Sequence, residues 1–211
     1  MDTKVILLLL ADVLLLTSSL VHGLKFLRKR NYLLGVEWLV VTVSTTNLLI
    51  YLLSEWQTAY DISFFLDAFS RGFGIPVIAT AGLMAVTHGY KPSTRTDVLW
   101  FAASIAATFV LVGADFMKKP LPYFYVVMWT AFSGYIAYFA WRLKRAGEIG
   151  HAAAVALGLV AGQAIACIYD FYRIPGDQDQ MIFFTLALTT WAYSLAVMYY
   201  AYGALERAEA R

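Results

Sequence analysis

Apolar runs of about 20 residues, almost free of charge, recur along the whole chain and are separated by short polar turns. An α-helix rising 1.5 Å per residue needs about 20 residues to cross a hydrocarbon core roughly 30 Å thick, so each run has the length of a membrane span. The pattern predicts seven transmembrane helices, at 5–24, 32–54, 62–88, 97–115, 122–142, 150–170 and 180–203. No connection is long enough to hold a soluble domain. Residues 1–211 are therefore expected to form a single transmembrane domain, an all-α seven-helix bundle that carries out the function itself, with Glu206 to Arg211 a frayed extension.

Composition agrees. With 61% hydrophobic and 14% charged residues, the chain lies far outside the balance of soluble domains, and the lipid bilayer is its expected surroundings. A formal net charge of +2, with the basic residues confined to turns, gives no stripe for a nucleic-acid partner. The turns carry topology instead. Lys25, Arg28, Lys29 and Arg30 follow the first run, Lys91 and Arg95 the third, and Arg142, Lys144 and Arg145 the fifth. Glu55 and Asp61 follow the second run, and Asp177 and Asp179 the sixth. By the positive-inside rule the chain is N-out and C-in, with Lys118 and Lys119 in the fourth turn as the dissenters. A cell (inner) membrane is the expected location. The first run has the length of a secretory leader. Asp12 interrupts it, no Ala-x-Ala site follows, and its basic flank is C-terminal, so it reads as a retained helix. With one cysteine, Cys167, there is no internal disulfide and no multi-cysteine metal site.

A faint internal echo relates the first three runs to the last three. A basic turn (Arg28-Lys29-Arg30; Arg142 to Arg145) follows the first helix of each half, and an acidic-aromatic pair (Glu55-Trp56; Asp170-Phe171) closes the second. Two parallel three-helix repeats joined by a linker helix, a 3+1+3 plan, would produce this pattern; so would ordinary alternation of loop charge. The 3+1+3 plan resembles that of SWEET-type sugar carriers, but their Pro-Gln pairs are missing. Pro76, Pro92, Pro120, Pro122 and Pro175 all lack a following Gln, and the last helix has no lysine to hold retinal.

Intramembrane charge is expensive, roughly 2.5 to 3.5 kcal/mol per residue on insertion scales, and so points to function. Counting depth along each run places Asp12, Asn47, Arg71, Gln163 and Thr190 at one level in the outer half. They are expected to form a polar substrate-binding layer, with Asp12 and Asp67 as counter-ions of Arg71 and Tyr193 as a further donor. Asp67 and Arg71 stand four apart and share a helix face. Gly72, Gly74 and Pro76 follow at once, and they predict a kink or break that gates a cavity. Glu37, one turn in from the cytoplasmic side and within reach of water, and Asp67 are the candidates for proton coupling. The hydroxyls of Thr42, Ser44, Thr45 and Thr46 are weak signals, because Ser and Thr bond their own preceding carbonyls.

These features favour a transporter or channel for a small ion or polar solute over an enzyme, with no cofactor expected. One alternative is a metal-dependent hydrolase using His22, His88 and His151 at the cytoplasmic ends, although no HxxxH or HExxH spacing pre-organises them. The other is a ligand-binding sensor or accessory subunit. Ala154, Gly158, Gly162 and Ala166 form a small-residue stripe suited to packing within the bundle or against a second copy.

Overall fold

The computed structural model describes residues 2–210, which are all-helical with no strand among them. The helices are α1 (Thr3–Arg28), α2 (Tyr32–Ser54), α3 (Gln57–Thr87), α4 (Thr94–Gly113), α5 (Leu121–Arg145), α6 (Ile149–Ile168) and α7 (Met181–Glu209). All except α5 are long and apolar enough to cross a membrane. The exposed surface agrees, since Leu7, Leu10, Leu14, Leu99, Phe109, Leu157 and Val160 all project outward. The chain is a multi-pass membrane protein. The helix α5 has the length but is diluted by Tyr, Trp and its basic last turn, Arg142 to Arg145.

Capping sets several of the ends. Asp2 accepts the Lys4 N–H at α1, Ser93 that of Thr96 at α4, and the Asp177 carboxylate accepts both Ile182 and Phe183 N–H at the start of α7. Asn31 caps α2 through the Leu34 N–H (3.2 Å), while its amide donates to the Gly82 carbonyl of α3 (2.8 Å). The buried face of α1, Leu8, Ala11, Leu15, Ser19, His22 and Phe26, recurs every three or four residues and forms its seam against α2 and α7.

Six helices pack side by side into a closed ring in the order α1, α2, α3, α5, α6, α7 and back to α1. The helix α4 stands outside it, packed on α3 through Phe109 against Phe65 and Phe101 against Phe69. One end of the ring, the acidic end, carries Glu55, Asp170 and Asp179; the other, the basic end, carries Lys29, Arg30, Arg142 and Arg145.

Two expectations about the elements are corrected. The third helix does not break at Gly72 to Pro76. It stays helical throughout, but Ser70–Ala79 is wound as a π-helix. Proline removes one N–H and crowds the carbonyl one turn back, and the wider winding absorbs both effects without interrupting the element. Nor is the C-terminus frayed from Glu206, because α7 continues to Glu209 with Ala204 and Leu205 fully buried. Arg211 lies outside the described residues.

A candidate ligand cavity at the acidic end

The ring encloses a cavity of about 920 Å³. It runs from Glu55 and Asp179 at the acidic end to Leu15, Ile75, Ile136 and Met198 near mid-bundle, and every ring helix contributes to its wall. Below that floor the core is closed by Phe26, Leu34, Trp38, Leu83, Phe139, Leu143 and Leu205, none more than 2% exposed. The last turns of α3, beyond the π-stretch, touch α2, α5 and α7 and lie across the basic end of the ring. The cavity is one-ended.

Arg71 projects into its upper part. The guanidinium lies between the rings of Tyr125 and Tyr169, 4.0 and 3.8 Å from their centroids, and Trp191 stacks on Tyr169. It is ion-paired to Asp170, just past the end of α6, and sits 3.6 Å from Asp67 on its own helix. Only 11% of the Arg71 side chain is exposed, so the pairing takes place largely out of water. The α3 helix supplies Arg71 and Asp67, α5 supplies Tyr125, and the end of α6 supplies Tyr169 and Asp170. The cluster therefore ties three ring helices together at one level.

Beside this cluster, Glu37 of α2 is fully buried, and neither carboxyl oxygen has a hydrogen-bond partner. The expectation that it reaches water is overturned. It lies against Gly74 of the π-stretch, where a Cβ would overlap the carboxyl group; Gly72 likewise leaves room for Leu111 at 3.1 Å. These two glycines serve close approach between helices rather than unwinding. Ser70 stands beside Glu37 and lines the cavity. Glu37 is thus one residue removed from the cavity wall.

The expected polar layer does not converge. Of Asp12, Asn47, Arg71, Gln163 and Thr190, only Arg71 lines the cavity. Asp12 is fully buried in the α1 seam without a partner and is not a counter-ion of Arg71. The amide of Asn47 donates to the Val43 carbonyl of its own helix. Gln163 bridges α6 to α5, accepting from Ser133 (2.7 Å) and donating to Thr130 (3.1 Å), and so touches the cavity only through Ser133. The Tyr193 hydroxyl donates to the Ala154 carbonyl, and Thr190 is half-buried on α7 away from the cavity wall. Asp67 does line the cavity. The small-residue stripe faces inward, with Gly158 against Tyr193 and Ser194 and Gly162 against Trp129.

The three histidines stand apart as well. His22 bonds the Ser18 carbonyl (2.7 Å) and packs on Tyr199, His88 meets Thr87 and Tyr138, and His151 meets Glu148 (3.1 Å). Among the described residues no three His, Cys, Asp or Glu side chains come close enough to share a metal ion. The residues that sequence reasoning missed are Asp170, Tyr125, Tyr169 and Ser70. A signal for Asp170 existed: a cation inside a helix needs a counter-ion, and Tyr169-Asp170 ends a neighbouring span at the same side.

Fold and site together define a class, a multi-pass helical membrane protein built around a one-ended cavity with a charged, aromatic upper wall. Compared with protein families, characterised proteins and solved structures, the chain matches none.

Proposed function

We propose that this chain is a small membrane transporter for an ion or small polar solute, with seven spans, N-out and C-in, in a cell (inner) membrane. The observation that carries the reading is the cavity of about 920 Å³, open at the acidic end and closed by packed side chains at the other. A channel needs a continuous path; a carrier caught facing one side has this form. The alternation of basic and acidic turns supports the orientation and makes the acidic end the outer one. The 25-residue α5, flanked in the ring by α3 and α6, serves as the remaining span. The 3+1+3 plan gains support from α4, which stands outside a ring in which α1–α2–α3 and α5–α6–α7 follow one another in the same sense.

In this reading Arg71, Asp67 and Asp170 form the outer binding and gating cluster. Glu37 and Asp67 are the residues through which protons couple, since Glu37 backs on the π-stretch of Gly72, Gly74 and Pro76 and is separated from the cavity only by Ser70. The test is flux in liposomes holding the purified protein, with a pH-sensitive dye inside and cationic, anionic and neutral solutes offered in turn. Wild type should move at least one class faster than empty vesicles, and Arg71→Ala should lose at least tenfold of that rate. Arg71→Lys, which keeps the charge but not the planar stacking, should fall in between. Unchanged flux in a folded Arg71→Ala protein, or tight solute binding without any flux, defeats the proposal and leaves the sensor reading.

A further inference from the structure

We infer that the cavity selects an organic cation with an apolar body, a reading that rests on its being a solute site as proposed above. Arg71 suggests an anion site at first sight, but its geometry says otherwise. Both faces of the guanidinium are covered by Tyr125 and Tyr169, and its edge is turned to Asp67 and Asp170. An incoming anion would have to displace carboxylates already paired in a site largely shielded from water.

The charges on the wall point the same way. Glu55, Asp67, Asp170 and Asp179 line the cavity against a single base, Arg71, so four formal negative charges face one positive and the local sum is −3. A mouth lined by one sign of charge concentrates solutes of the other sign. The wall is also aromatic. Tyr51 and Tyr60 meet at 4.9 Å between centroids, Phe64 follows Tyr60 at 6.3 Å, and Trp129, Phe184 and Trp191 face inward from the other half of the ring. Ring faces attract alkylammonium groups and also bury apolar substituents, which makes the combination specific for cations that carry hydrocarbon.

Ser70 also lines the cavity, with its hydroxyl oxygen enclosed on the side of Glu37. The volume suits a ligand of roughly drug size and far exceeds what a single metal ion needs.

The test compares three water-soluble probes with the same ring and different charge: phenyltrimethylammonium, benzyl alcohol and benzenesulfonate. Binding to the full chain in neutral detergent is followed by tryptophan fluorescence, with Trp129 and Trp191 in the wall as reporters, and by calorimetry. The cation should bind about tenfold more tightly than the alcohol, the scale of a desolvated cation–π contact, and the sulfonate more weakly than either. The paired change Glu55→Gln with Asp179→Asn, at the exposed rim and outside the Arg71 cluster, should weaken the cation severalfold and leave the alcohol unchanged. Equal affinities for cation and alcohol, or tighter binding of the sulfonate, overturns the inference. Uptake of the same probes into proteoliposomes reads the transport proposal separately. Cation binding without uptake sinks transport and leaves this inference standing; uptake of sulfonate with no cation binding does the reverse.

Discussion

At the scale of single residues the most constrained pair is Glu37 and Gly74. A carboxyl group without a partner, in a helix seam away from water, is an expensive arrangement that ordinary packing would remove, and the absence of a side chain at residue 74 is what admits it. Gly74→Ala should destabilise the protein by about 1–3 kcal/mol through overpacking, measured by unfolding in detergent. In a Glu37→Ala background the same substitution should cost less than about 0.5 kcal/mol, because the atoms it collides with are gone. An equal cost in both backgrounds would show that the backbone of α2, not the carboxyl group, sets the contact. Arg71 is constrained in the opposite sense, by having many partners. Its loss leaves Asp67 and Asp170 facing each other in a poorly solvated place. Arg71→Ala should cost about 2–4 kcal/mol, below the fully buried range because the two carboxylates are 28% and 25% exposed. Adding Asp170→Asn to it should restore part of that stability in the same unfolding assay, since it removes the like charge.

At the scale of elements, six of the seven apolar runs were legible as helices of spanning length because the bilayer imposes one rule on all of them, a span of about 20 residues with its backbone bonds satisfied internally. The ends were less legible. Capping by Asp2 and burial of Ala204 and Leu205 lengthen α1 and α7 beyond their hydrophobic windows, and these are local bonds and tertiary contacts rather than hydropathy. The polar layer failed for a geometric reason. Counting 1.5 Å per residue gives the height of Asp12 or Asn47 but not the direction its side chain takes around the helix, and both point away from the cavity that Leu8, Leu15, Ser44 and Leu48 face. The cluster at Arg71 was half legible: the Asp67 spacing is local, whereas Asp170 and the two tyrosines come from helices whose neighbours only the ring order reveals. In α3 the sequence signal of Gly72, Gly74 and Pro76 was real, and what it encodes is π winding instead of a break. Pro76→Ala offers a check. In a regular helix interior the proline costs about 3 kcal/mol, so removing it should stabilise by that much. If the π-stretch already accommodates the missing N–H, stability should change by less than about 1 kcal/mol while flux slows severalfold as the stretch relaxes toward α winding.

At the scale of the whole molecule, a one-ended cavity implies that something holds the other end shut. Apolar packing of Phe26, Trp38, Leu83, Phe139 and Leu205 does most of this, and a carrier that held its closed end by packing alone would have little to release it. The last turns of α7 add a reversible component. Glu206 pairs with Lys29 at the end of α1, and Glu209 pairs with Arg142 of α5, whose guanidinium also donates to the Thr87 carbonyl at the end of α3 (2.7 Å). Three ring helices and the end of α3 thus meet in two half-exposed ion pairs. Pairs of this exposure contribute about 0.5–1 kcal/mol each, so in the transporter proposed above losing both should shift the balance between forms open at the acidic end and at the basic end by about 5–30-fold. The measurement is accessibility of a thiol at the cavity floor, Leu195→Cys in a Cys167→Ser background, to a membrane-impermeant maleimide. Parent protein should be labelled from the acidic end. With Glu206→Gln and Glu209→Gln added, that labelling should slow and labelling from the basic end should rise. About 1 M salt, where charges are screened beyond roughly 3 Å, should push the parent in the same direction. Labelling that ignores both the substitutions and the salt would mean that the basic end is held by its hydrophobic seal and that these ion pairs only fasten the end of α7.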